Sequence, residues 1–264
     1  MAAWCAENLR DIEGWRASGL PVTASSNEDC KLLDAAIRQL VSLRVCDQFG
    51  GIVKTFESLS KADPNNALIT AMMCYSAEAK GPGMEVVERT EKLSESPAIN
   101  ERERKHLKAA ALLARGDALK AESLWDSVLD EYPNDLMAIK FLHESYLFTG
   151  NAQGKRDSVA KVLPKWRKDE PCYSFLHGMY AFGLEECAEF EKAEEHAITA
   201  LTLRPEDNWA THARAHIFEM QGRTKEGKVF MEGTRSYWEN GFLVTHNHWH
   251  NTLFYLEEAT LRLR

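Results

Sequence analysis

Apolar residues recur at three- and four-residue spacing along almost the whole chain, and glycine or proline interrupts the recurrence at short intervals. Between Ser174 and Asp207, Ala181 and Leu184 mark one helical face, Ala193, Ala197 and Ala200 mark a second, and Pro205 closes the unit. Alanine at the second-helix positions lets two helices approach closely. A proline, having no N–H, cannot continue the helix that precedes it. The same design recurs upstream: Ala109 and Leu112, a turn at Gly116, then Ala121, Trp125 and Val128, closed by Tyr132-Pro133. Leu142 and Tyr146 then precede Gly150-Asn151, with Pro164 inside a weaker second half, and Ala215 and Phe218 precede Gly222, Gly227 and Met231. No strand-type alternation accompanies these stripes. The pattern predicts an all-α fold, an α-solenoid of helix–turn–helix units.

The N-terminal part follows the pattern more loosely. Helical spacing runs from Leu33 to Leu43, a turn spans Asp47 to Gly51, and Ile52, Phe56 and Leu59 form a stripe ending at Asp63-Pro64. A further helix is expected from Asn66 to Ala79, broken by Lys80-Gly-Pro-Gly83, and another from Met84 to Leu93, ending before Pro97. The expected organisation is a lead-in over 1–24, degenerate helical repeats over 25–100, clearer repeats over 101–256 and a short tail over 257–264. Units of about 34 residues with small contact residues and a terminal proline resemble tetratricopeptide repeats. By analogy with those repeats, the unit beginning at Asn208 turns Trp209, His212, His216, Glu219 and Met220 toward a concave groove.

Several stretches are more specific than the generic repeat. Ser26-Asn-Glu-Asp-Cys-Lys-Leu-Leu-Asp34, Leu124-Trp-Asp-Ser-Val-Leu, Lys140-Phe-Leu-His and Arg156-Asp-Ser-Val-Ala160 resemble the tetratricopeptide repeat protein 38 family. So do Gly178-Met-Tyr-Ala-Phe-Gly-Leu184, Ala215-His-Ile-Phe-Glu-Met220 and His246-Asn-His-Trp-His250, so that the resemblance spans roughly Ser25 to Leu256. It implies a helical repeat array without an established activity. Members of that family continue further, so this chain reads as a C-terminally shortened form. On that reading Leu253, Phe254, Tyr255 and Leu256 lack a partner helix, and leaving them wet forgoes about 1.5–3 kcal/mol each. Self-association through an uncapped C-terminal helix is the expectation.

Composition narrows the partners. A net charge of −8 with no long Lys/Arg cluster argues against nucleic acid. The run Glu101-Arg-Glu-Arg-Lys105 mixes signs at helical spacing and reads as a solvated face. No apolar stretch approaches a membrane span, and Met1-Ala-Ala-Trp-Cys lacks the regions of a secretory signal. The six cysteines form no Cys-x-x-Cys pair and suit reduced thiols in the cytosol.

Chemistry gathers near the C-terminus. His212 and His216 lie four apart on one helical face and Glu219 continues it, while His246, Trp249 and His250 share a face one repeat later. Four readings remain open for this set: a hydrogen-bonded network fixing the repeat angle, a groove for a peptide or small molecule, a metal site, or catalysis. His212 and His216 have spacing a divalent metal accepts. The chain holds no His-Glu-x-x-His and no framed nucleophile, so neither an enzyme nor a required cofactor is expected. Trp125 and Phe56 read as core. Lys140 is followed one turn later by Glu144, whose charge would repel a carboxylate, which argues against a clamp for a partner's C-terminus. The leading expectation is a scaffold holding a protein or peptide partner in the groove; the alternative is a metal or small-molecule site built from the histidines.

Overall fold

Helix starts along the chain are set by short polar side chains that accept from the first free backbone amides. Asn66, Asn100, Asp117, Asp135, Asn151 and Asp207 each do this, for Ile69, Glu103, Lys120, Ala138, Gly154 and Trp209 with Ala210 respectively. The computed structural model describes residues 3–77 and 79–262, and among these it contains fifteen α-helices and no strand. The chain divides into two compact units, one made of residues up to 40 together with 46–150, the other of 41–45 together with 151–264.

The first unit contains α1 (Ile12–Ala17), most of α2 (Asn27–Ser42), α3 (Gly51–Ala62), α4 (Ala67–Tyr75), α5 (Pro82–Ser94), α6 (Glu101–Ala114), α7 (Ala118–Glu131) and α8 (Leu136–Thr149). Helix α4 ends at Tyr75, short of the expected Ala79, where the Ala77 N–H turns back to the Cys74 carbonyl at 3.0 Å. The Tyr75 ring instead stacks on Phe141, centroids 4.1 Å apart, beside the fully buried Trp125. Trp125 is thus core, as expected. Beneath these helices Asp135 is buried between Arg102, at 2.7 Å, and His106, at 2.9 Å. Burial pushes the Asp135 carboxyl upward, but His106 and Arg102 outweigh it and hold the group well below the usual carboxylate range. Within α8, Lys140 pairs with Glu144 at 2.7 Å.

The second unit contains α9 (Ala152–Val162), α10 (Tyr173–Glu186), α11 (Phe190–Leu203), α12 (Asn208–Met220), α13 (Thr224–Gly233), the one-turn α14 (Arg235–Trp238) and α15 (Val244–Arg262). Helix α10 packs on α9, α11 and α12; α12 packs on α11, α13 and α15; α13 packs on α15. The expected contact residues Ala181, Leu184, Ala193, Ala197, Ala200, Ala215 and Met231 are all buried. The segment 41–45 secures the start of α12 and the loop before α15. Leu43 accepts from Phe242 N at 3.0 Å and from Asn208 Nδ2 at 3.4 Å, and Arg44 Nη1 donates to the Tyr237 carbonyl at 2.7 Å.

Helix α15 is left wet only in part, and Phe254 departs from the expectation. Phe254 is fully buried with Phe218, Met231 and Trp238, its ring seated on Gly227 of α13, where a Cβ would overlap it. Tyr255 and Leu256 are exposed. All six cysteines are free thiols. No helix among the described residues is long and apolar enough to cross a membrane.

Candidate metal centre

Two helices aim histidines at one another. On α12, His212 and His216 stand one turn apart; on α15, His246 and His250 do the same. The Leu43 carbonyl accepts from both Asn208 Nδ2 and Phe242 N, tying the start of α12 to the loop that leads into α15, and the four imidazoles meet. One ring nitrogen from each lies within 4.8 Å of the other three. His216 Nε2 is 2.9 Å from His212 Nε2, which is 2.8 Å from His246 Nε2, which is 3.0 Å from His250 Nε2. His212 and His250 are buried, His216 half-buried and His246 exposed, so one edge of the cluster reaches water.

Proton counting shows that hydrogen bonding alone does not account for this convergence. Each Nε2 carries either one proton or one in-plane lone pair. His250 Nδ1 lies 2.7 Å from Glu219 Oε1, and a carboxylate only accepts, so Nδ1 bears a proton; with that one proton His250 turns an Nε2 lone pair inward. His246 then satisfies His250, and His216 satisfies His212. The central contact between His212 and His246 has no second proton to use, yet it is the shortest of the three. The His177–His196 pair on α10 and α11 is the contrast: two rings, one Nδ1–Nδ1 contact of 2.8 Å, one proton to bridge it. Burial, with His196 beside it, holds His177 down to about 4.

The electrostatics keep the cluster's lone pairs available. Burial, then the neighbouring His216, His250 and His246, hold His212 well below the ordinary histidine range. Burial followed by His250 and His216 lowers His246 as well. A carboxylate stands outside each helix pair. Besides Glu219 at His250, the buried Glu185 of α10 places Oε2 at 3.6 Å from His216 Nδ1. That oxygen has no hydrogen-bond donor, and neither has the buried Nδ1 of His212 with respect to an acceptor. Four convergent imidazoles with carboxylates beside two of them are a set of side chains that could hold a divalent transition metal.

All seven residues singled out from the sequence fall in or beside this centre, but they play different parts. His212, His216, His246 and His250 form the cluster, and Glu219 backs His250. Trp249 is half exposed and stacks on His246, centroids 5.5 Å apart. Trp209 does not face an open groove; it is buried against Phe182, at 5.6 Å. Glu185 was missed, although its signal exists. It precedes His216 by 31 residues, as Glu219 precedes His250, and the histidine pairs themselves repeat at 34.

No family model matches the chain. Among solved structures it is similar to MamA MSR-1 C2, with a TM-score of 0.47 and 18% identity over 69% of this chain and 96% of that one. MamA AMB-1 P212121 superposes with a TM-score of 0.44 at 17% identity, over 64% of this chain and 90% of the other. Overlaps this loose carry no argument about function; the class of helix–turn–helix repeat protein rests on the chain's own helices.

Proposed function

We propose that this chain is a helical-repeat binding protein of the tetratricopeptide repeat protein 38 kind, and that its second unit binds one divalent transition-metal ion through His212, His216, His246 and His250. The observation that carries the reading is the meeting of four Nε2 atoms whose contacts exceed the protons available to bridge them. Such an ion would clip α12 to α15, two elements 34 residues apart in sequence. The role is binding and not catalysis, and free thiols suit a cytosolic setting. The test is a calorimetric titration of chelator-treated protein with single metal salts, beside a thermal melt. At a hundredfold excess over Kd, metal should add about 2.7 kcal/mol of stability. His246→Ala is the informative variant, because His246 is exposed and its loss removes a ligand without hollowing the interior. Absence of one-to-one binding by any transition metal would refute the reading.

A second reading, a scaffold holding a protein or peptide partner, is favoured by Met220 and Trp249, which are 65% and 52% exposed on the same two helices. Large exposed side chains beside a polar centre are the usual anchors of an interface. Trp209 and His212, being buried, would disturb the fold if replaced, so Met220→Ser with Trp249→Ser is the cleaner probe. Partner capture equal to that of the parent would remove this surface from consideration.

A further inference from the structure

The donor set alone does not choose among the divalent ions that imidazole suits, but the spacing of its nitrogens does. On the metal-site reading just given, we infer that the centre is tetragonal and selects Ni2+ or Cu2+ over Zn2+. Four nitrogens tetrahedrally placed about 2.0–2.1 Å from zinc stand at six equal separations of about 3.3–3.4 Å. The same bond lengths in a square give four sides of about 2.8–3.0 Å and two diagonals of about 4 Å. The observed sequence around the ring, His216 to His212 to His246 to His250, has separations of 2.9, 2.8 and 3.0 Å. Three successive short edges, with every pair inside 4.8 Å, trace the sides of an open ring. A tetrahedron would require all three edges to lengthen together by about 0.4 Å.

The architecture explains why the ring takes this form. Each helix contributes two imidazoles one turn apart, which makes one side of the square, and the closest approach of α12 to α15 at His212 and His246 makes a third. No sulfur enters: all six thiols lie outside the cluster, so the soft donors that favour monovalent copper are missing. Charge points the same way. Four neutral imidazoles leave a dication uncompensated, and Glu219 and Glu185 behind His250 and His216 supply two negative charges. The Lys155 ammonium in the same unit is matched by its own partner, Glu186, at 2.8 Å.

The experiment uses the full chain stripped with chelator and then offered Ni2+, Zn2+, Co2+ or Cu2+ as simple salts. In direct competition at equal concentrations, Ni2+ should exclude Zn2+ by about tenfold or more. The Cu2+-loaded protein should give an axial electron paramagnetic resonance spectrum with splitting from four nitrogens, reduced to three in His246→Ala. Preference for Zn2+ over Ni2+, together with the intense visible bands of tetrahedral Co2+, would overturn the tetragonal assignment while leaving a metal site in place. Failure of every ion to bind would instead overturn the metal-site reading beneath it.

Discussion

Asp207 offers a direct measurement of how the second unit tolerates a buried charge. Its Oδ1 accepts from Trp209 N at 2.9 Å and Ala210 N at 3.1 Å, which caps α12 and so positions His212. Its Oδ2 has no donor and lies against α10, 2.6 Å from where a Cβ on Gly178 would be, so only glycine admits it there. Burial pushes the carboxyl up from 3.8 to about 7 against the pull of the Ala210 and Trp209 amides. A folded-state value raised above the unfolded one means stability that is full below 3.8 and is lost as pH rises toward 7. A gap of about three pH units at 1.36 kcal/mol each places the cost of the charged form near 4 kcal/mol as an upper bound. Asp207→Asn removes the charge and keeps the capping carbonyl, but it puts amide protons where no acceptor waits, a penalty of about 1–3 kcal/mol. The variant should therefore be more stable than the parent at pH 8 by about 1–3 kcal/mol, and less stable at pH 4 by a similar amount. Thermal melts in chelator from pH 4 to 8 read the crossing, at roughly 2–4 °C per kcal/mol. A stability difference between the two proteins that does not change with pH would refute the account.

Three other changes test separate links. In the first unit, Arg102→Met strips Asp135 of its guanidinium partner and should cost about 3–5 kcal/mol; because the Asp135 carboxyl is held low, the parent keeps this stability above 3.8 and loses it in acid, so the variant's urea midpoint should start lower and fall less on acidification. Gly227→Ala drives a methyl into the buried Phe254 ring and should cost about 1–3 kcal/mol, read as faster amide exchange along α13 and α15. Glu219→Ala should weaken metal binding by about 10–100-fold through loss of the proton acceptor on His250, whereas Glu219→Gln, which keeps an acceptor, should retain most of the affinity; equal behaviour of the two would mean that Glu219 does not orient the ring.

The helical architecture was legible because its signals are local. Alanine at 193, 197 and 200, the capping Asp and Asn residues and the glycine turns act within one or two turns of where they stand, and the helices follow them. The end of α4 and the covering of Phe254 were not legible, since each depends on what another helix presents: Phe141 to Tyr75, and Gly227 to Phe254. The membership of the centre was half legible. Face sharing by His212 with His216, and by His246 with His250, follows from helical spacing alone. That the two faces meet edge to edge follows from α12 lying on α15, and the buried place of Trp209 from its contact with Phe182. The 34-residue repeat of the histidine pairs points to the first, since adjacent repeats stack first helix beside first helix, whereas sequence spacing carries no information on the second.

The repeat frame also explains why, among the described residues, one four-histidine cluster forms and not several. Moving back by 34 residues from His212 and His216 reaches Gly178 and Phe182, and both are needed as they are. Gly178 makes room for Asp207, while Phe182 sets its ring edge-on to His212 at 4.8 Å and to His216 at 5.9 Å. The preceding repeat thus supplies the apolar wall and, through Glu185, one outer carboxylate, but no ligand. The two repeats that follow supply two ligands each. A metal there would bind across a repeat junction, so its free energy would add to the neighbour contact on which stacking in a helical array depends.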